Sequence, residues 1–177
     1  MKNSILPFAI FIITLISSPQ ITAQEFKGLD KSPMDMAAFP SSYRVSDKIV
    51  KVIYSRPQLK GRDLMKLAPP EKVWRTGANE AVEITFYKDV IFGGKAVKAG
   101  VYSLFVIPSL DEDWTIIINE AKNVWGSYSY NQDQDVVRVA GISSKVEKNV
   151  EAFSMMFEKD MTLKMGWGNT VISVPIK

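Results

Sequence analysis

The 177-residue chain contains no cysteine and no histidine. Without cysteine there is no disulfide to staple the fold and no thiolate for nucleophilic or redox chemistry. Without histidine there is no Ser-His-Asp or Cys-His unit, and an ordinary zinc or copper site loses its usual ligands. No metal and no cofactor are expected. A surplus of one charge is also missing, since 22 Lys and Arg stand against 19 Asp and Glu. That balance gives no electrostatic reason to expect nucleic acid or an anionic membrane as partner. Chemistry is left to carboxylates, Tyr, Lys, Ser and Arg.

One long apolar run is present, and it lies at the start. Lys2 supplies a positive charge, Ile5 to Ile16 is uncharged and strongly apolar, and Ser17 to Ala23 is more polar, with Pro19 as a breaker. Ile21 and Ala23 sit at the −3 and −1 positions of a cleavage site before Gln24. Residues 1–23 are therefore predicted to be a secretory signal peptide. The competing reading, a transmembrane anchor, is disfavoured because a run of roughly a dozen residues falls short of the ~20 that span a bilayer. No cysteine near the cut can carry a lipid. The expected location is periplasmic or extracellular, with no membrane anchor after cleavage, and lack of disulfides suits a bacterial periplasm or cell exterior.

Residues 24–46 hold Gly28, Pro33 and Pro40 without sustained periodicity, and read as a flexible leader in which Met34 to Phe39 docks. Residues 47–177 read as one β-rich domain. Val82, Ile84 and Phe86 alternate with Glu83, Thr85 and Tyr87, the period of a half-buried strand. Gly93-Gly94 between two short runs suits a two-residue hairpin turn. Phe153, Met155 and Phe157 alternate, Lys159-Asp160 turns, and Leu163, Met165 and Trp167 alternate back. Ile172, Val174 and Ile176 form a last strand. Short strands with Gly, Pro and Asp turns predict an all-β antiparallel β-sandwich, with a closed β-barrel as the alternative.

Two loop segments concentrate side chains that seldom serve a core. Arg56, Lys60 and Arg62 occupy one; Trp74, Arg75, Asn79 and Glu80 occupy the other. The cations could hold a carboxylate, a phosphate or sugar oxygens, and Asn79 and Glu80 supply acceptors. The competing reading is that these charges pair with one another, Arg75 with Glu80 for instance. Trp74, although part of this string, lies with Trp114 and Trp167 on strands or strand edges, and all three read as core. A third segment, Trp125 to Tyr130, would place Tyr128 and Tyr130 on one face if extended, a stacking platform for a sugar ring. Its competing reading makes Trp125 core and the tyrosines rim. Asn131, Asp133 and Asp135 have the alternate spacing of calcium ligands, but Val136 and Ile142 stand where an EF-hand needs glycine and glutamate. A carboxylate pair for glycoside hydrolysis could draw on Glu80, Asp89, Glu120 or Asp135.

Several of these strings carry a resemblance. Tyr54-Ser55-Arg56-Pro57, Lys60-Gly61-Arg62, Trp74 to Glu80, Gly100 to Phe105, Trp114-Thr115-Ile116 and Trp125-Gly126 occur in a succession that resembles a secreted bacterial family catalogued as a domain of unknown function, the 2911 family. The resemblance runs from about Ser46 to the end, and Trp74 to Glu80 is its most specific element. It implies export and a β-rich domain, and brings no reaction. The chain departs from the family's pattern around Leu64 to Lys66, onto which nothing functional is carried.

Three functions remain. The leading expectation is an exported, non-enzymatic binding or interaction module for a glycan or a small anionic ligand. A metal-independent hydrolase using a carboxylate pair, and a structural envelope protein, are the alternatives. The mature protein is predicted to begin at Gln24, which intact-mass measurement on protein recovered from the native envelope checks; retention of residues 1–23 would contradict export.

Overall fold

The computed structural model describes residues 26–111 and 113–177; the expected signal peptide lies outside them. The described chain is all-β and antiparallel, as its alternation predicts. Nine strands are β1 (Met34–Phe39), β2 (Val50–Ser55), β3 (Val82–Phe86), β4 (Val90–Phe92), β5 (Lys95–Val97), β6 (Gly100–Ile107), β7 (Trp114–Asn119), β8 (Asp135–Phe157) and β9 (Leu163–Val174). Seven form one sheet in the order β1-β2-β3-β6-β7-β8-β9, and β4-β5 is a separate hairpin. The sheet curls strongly into a half-barrel. The layers that face each other across the core therefore belong to one continuous sheet.

Each strand presents one buried set inward. Val50, Val52 and Tyr54, then Val82, Ile84 and Phe86, then Leu104 and Val106, then Trp114, Ile116 and Ile118 meet Phe153, Met155, Met165 and Trp167. Aromatic rings close the middle of this core. Trp74 and Trp167 stack at 5.3 Å with 13° between planes, and Phe153 meets both edge-on. Such pairs add to area burial because edge-to-face and offset geometries suit the ring quadrupoles.

The turns follow their residues. Gly93 and Gly94, at φ 55° and 87°, join β4 to β5, which L side chains would resist. Residues 34–39, expected to dock from a flexible leader, do so as β1, paired with β2 over six positions. Gly61 to Ala68, ambiguous in sequence, contains the single turn α1 (Leu64–Leu67), capped by the Asp63 carboxylate accepting from Met65 N.

Two sequence boundaries dissolve. The strands expected at Leu163 to Trp167 and Ile172 to Ile176 belong to one element through Val174, with Gly168 (φ +60°) standing where the buried parity changes; the extra residues of the irregular pairing lie on β8, where Lys145 to Ser154 faces Thr170 to Gly166. The buried set shifts there from Leu163, Met165 and Trp167 to Thr170, Ile172 and Val174. Likewise Val136 to Ile142 and the Phe153 run are both parts of β8, joined across the polar stretch from Lys145 to Glu151, where the pairing with β9 is irregular.

Candidate functional site

The outer face of the sheet carries the site. On that face the ladder lines up Met36, Ile53, Glu83, Ser103 and Asn119 in one row. The next row across β6, β7 and β8 is Phe105, Ile117 and Arg138. Phe105, Ile117 and Asn119 are fully buried, although they point away from the main core. Two segments cover them, residues 75–81 and residues 120–134.

The 120–134 segment is anchored at its return to the sheet by Asp135. That carboxylate is 7% exposed. It accepts from Asn119 Nδ2 (2.8 Å) and from the Tyr130 hydroxyl (2.6 Å), and Arg138 Nε stands 2.9 Å away. The Arg138 Nε–H is not aimed at the oxygen, so this last contact is an ion pair rather than an aligned hydrogen bond. Arg138 Nη2 also donates to the Tyr130 hydroxyl at 3.2 Å. Asn119 completes the junction by donating to Asn131 O and accepting from Ala121 N. Burial and the adjacent Asp135 carboxylate push the Tyr130 phenol up to about 12, because both oppose a phenolate.

The two covering segments are then tied to each other. Ala81 N donates to Val124 O, Gly126 N to Asn79 O, and the Ser127 hydroxyl to Val73 O. Glu80 and Trp125 are antiparallel bridge partners, so their side chains project to the same side. Val82 N donates to Arg75 O, closing residues 75–82 into a compact loop with Thr76 and Asn79 at positive φ. A cleft of about 220 Å³ opens beside this junction, lined among others by Ile53, Glu80, Glu83, Lys122 and Asn123. No ion pair among the described residues involves Glu80, Glu83 or Lys122. Trp125 is 60% exposed and Tyr128 is 87% exposed.

The residues singled out in the sequence separate into two groups. Arg56 is a staple: it pairs with Asp35 at 3.0 Å and donates to Phe153 O and the Ser154 hydroxyl, binding β1 and β2 to β8. Arg62 donates to Leu59 O and Gln58 O within its own loop, and the Lys60 amide donates to Glu151. These three do not join the cleft. Trp74 is core, as the competing reading held. Tyr128 and Tyr130 do not form a platform, because residues 126–129 turn and Tyr130 is engaged by Asp135 and packed edge-on against Phe105. Trp125, weighed as core, is instead exposed.

Arg75 and Glu80 are not ion-paired among the described residues. Glu80 is exposed at the cleft. Trp74 faces the core in register with Val106, so the next residue, Arg75, takes the outer face beside Phe105. Its Nε is buried without a hydrogen-bond partner, an arrangement that ordinarily costs about 1–3 kcal/mol. Of the carboxylates considered for hydrolysis, Asp89 is bound by Lys98 on the β4-β5 hairpin, Asp135 is consumed as above, and Glu120 is exposed beyond β7. Glu83 joins Glu80 at the cleft and was not singled out in sequence. Asn131 caps the 3-10 turn at 132–134. No group of three or more metal-ligating side chains occurs among the described residues.

The chain belongs to the family described as a protein of unknown function, DUF2911, whose model matches residues 32–176. No curated protein and no solved structure matches it.

The Tyr130 environment has a pH signature. A phenol whose folded-state value is raised contributes stability that is present below pH ~10 and is lost as pH rises through the folded value, here about 12. Burial also raises the Tyr54 phenol, so the native chain loses stability from both over the alkaline range. Tyr130→Phe is expected to reduce that alkaline loss, measured as the difference between urea midpoints at pH 9 and pH 11. An unchanged difference would contradict the account of Tyr130.

Proposed function

We propose, for this member of a family of unknown function, that the protein is a non-catalytic carbohydrate-binding module whose site is the outer-face cleft. The observation that carries the reading is the Glu80–Trp125 bridge. It sets an exposed indole beside an unpaired carboxylate at the mouth of a cleft. Sugar C–H faces pack on aromatic rings, while carboxylates and amides take the hydroxyls. Glu83 and Asn123 add such groups within the cleft, and Tyr128 adds a second exposed ring nearby.

Binding is favoured over hydrolysis by the exposure of the carboxylates. Glycoside hydrolysis needs one carboxyl that keeps its proton in a dry surrounding, facing a second that is ionised. Glu80 is exposed and Glu83 half-buried. An envelope role would leave no reason for an exposed indole to stand beside a solvent-open cleft whose two carboxylates have no ion-pair partner among the described residues. Export to the periplasm or medium, where glycans are met, is part of the same proposal.

Trp125 is its own reporter, because Trp74, Trp114 and Trp167 are buried. Titration with oligosaccharides is expected to shift the acrylamide-quenchable fluorescence to shorter wavelength and to protect it from quenching. Trp125→Ala is expected to weaken binding by at least about tenfold, while an exposed residue of this kind changes stability by only about 0.5 kcal/mol. Failure of every neutral and acidic oligosaccharide to protect Trp125 would contradict the proposal.

A further inference from the structure

The outer face carries two arginines along one row, on either side of Phe105 and Ile117, and they are treated differently. Arg138 has Asp135 and Tyr130. Arg75 has neither an ion pair nor a side-chain hydrogen bond among the described residues, and its Nε is sealed from solvent. Its terminal nitrogens are not sealed, since Nε alone of the three is buried without a partner. With the Nε edge closed, the guanidinium presents only its end-on Nη1–Nη2 fork. That fork matches the two oxygens of a carboxylate.

The backbone of Arg75 belongs to the loop that borders the cleft. Arg75 O holds Val82 N at 3.2 Å, which brings the start of the 75–82 loop back to its end beside Glu80. Residues 124–127 touch that loop near its end and the chain just before it, through Ala81 N to Val124 O and Ser127 Oγ to Val73 O. The Trp125 to Tyr128 turn thus spans the interval from the acidic cleft to Arg75. A neutral sugar would satisfy the carboxylates at one end and leave the fork at the other end empty.

Resting on the carbohydrate reading above, we infer that the ligand is acidic: a hexuronate-bearing oligosaccharide whose hydroxyls meet Glu80 and Glu83 and whose carboxylate meets the Arg75 fork. The site then discriminates by a group that repels the two glutamates unless it is delivered to the arginine, which makes the orientation of the sugar unique. Lys122 lines the cleft but is a flexible point charge without a fork, and it contributes attraction without selecting a planar group.

The test uses the full mature chain and matched probes: oligomers of galacturonate, glucuronate and mannuronate, each beside its carboxyl-reduced neutral counterpart. Binding is read by calorimetry and by Trp125 quenching. At least one acidic oligomer is expected to bind tenfold or more tightly than its neutral counterpart, and Arg75→Gln is expected to abolish that preference. Lys122→Gln is expected to lower both affinities by less than threefold. Equal affinities within every pair would overturn this inference and leave the carbohydrate reading intact. A preference that survives Arg75→Gln, or that vanishes in Lys122→Gln, would also overturn it. No binding by any probe would overturn the carbohydrate reading itself. Because Arg75→Gln could also disturb folding, its melting temperature and the exchange protection of the Gly126 amide are measured alongside. If either is disturbed, Arg75→Lys takes its place: it keeps the charge, lacks the fork and is expected to lose the preference.

Discussion

Asp135 is a carboxylate taken almost wholly out of water, and it remains there because three side chains converge on it. Asn119 donates to one oxygen, Tyr130 to the other, and Arg138 supplies the opposite charge at 2.9 Å. Hydrogen bonds to a charged group contribute about 1.5–3 kcal/mol each, and without them the burial would be prohibitive. The consequence is positional. Asn119 ends β7, Asp135 begins β8, and Tyr130 lies between them, so the junction fixes both ends of residues 120–134. From that base the segment reaches Asn79, Ala81 and Val73, and the two covering segments hold each other over Phe105 and Ile117. Trp125 and Glu80 stand side by side only because this lower layer is locked.

The same arrangement explains which polar groups remain available. Arg56, Arg62 and Arg138 use their donors on backbone carbonyls, hydroxyls and carboxylates of the fold. Glu80, Glu83 and Lys122 form no ion pair among the described residues, and neither does Arg75. These are the groups gathered at the cleft and the loop beside it. A surface whose charges are left unspent next to an exposed indole is better suited to recognition than to stability, since exposed isolated charges add little to the latter.

Much of the fold was legible in the sequence because it is written in local periodicity. The alternation in Val82 to Phe86 and Phe153 to Phe157, and the glycine pair at 93–94, are sufficient for strand and turn. The middle of β8 was not legible, since Lys145 to Glu151 has only Val146 and Val150 among charged and polar residues, too sparse an apolar face to mark a strand. The roles of the cations were not legible either, because their partners are distant: Arg56 meets Asp35 and Ser154, 21 and 98 residues away. One signal for the covered outer face was present. Ile116-Ile117-Ile118 is apolar without alternation, and a strand buried on both faces reads that way. It implies that something must cover Ile117, and the long insertion that follows β7 is the segment that carries Trp125.

The account stands on the Asp135 junction acting locally, as the lock of the two covering segments. Amide hydrogen exchange in Asp135→Asn tests this directly. The account predicts that the amides of Ala81, Glu120 and Gly126 lose protection by at least about tenfold, while Val52, Ile84 and Leu104 in the central strands exchange as in the native chain. Unchanged protection at Ala81 and Gly126, or an equal loss across the central strands, would contradict it.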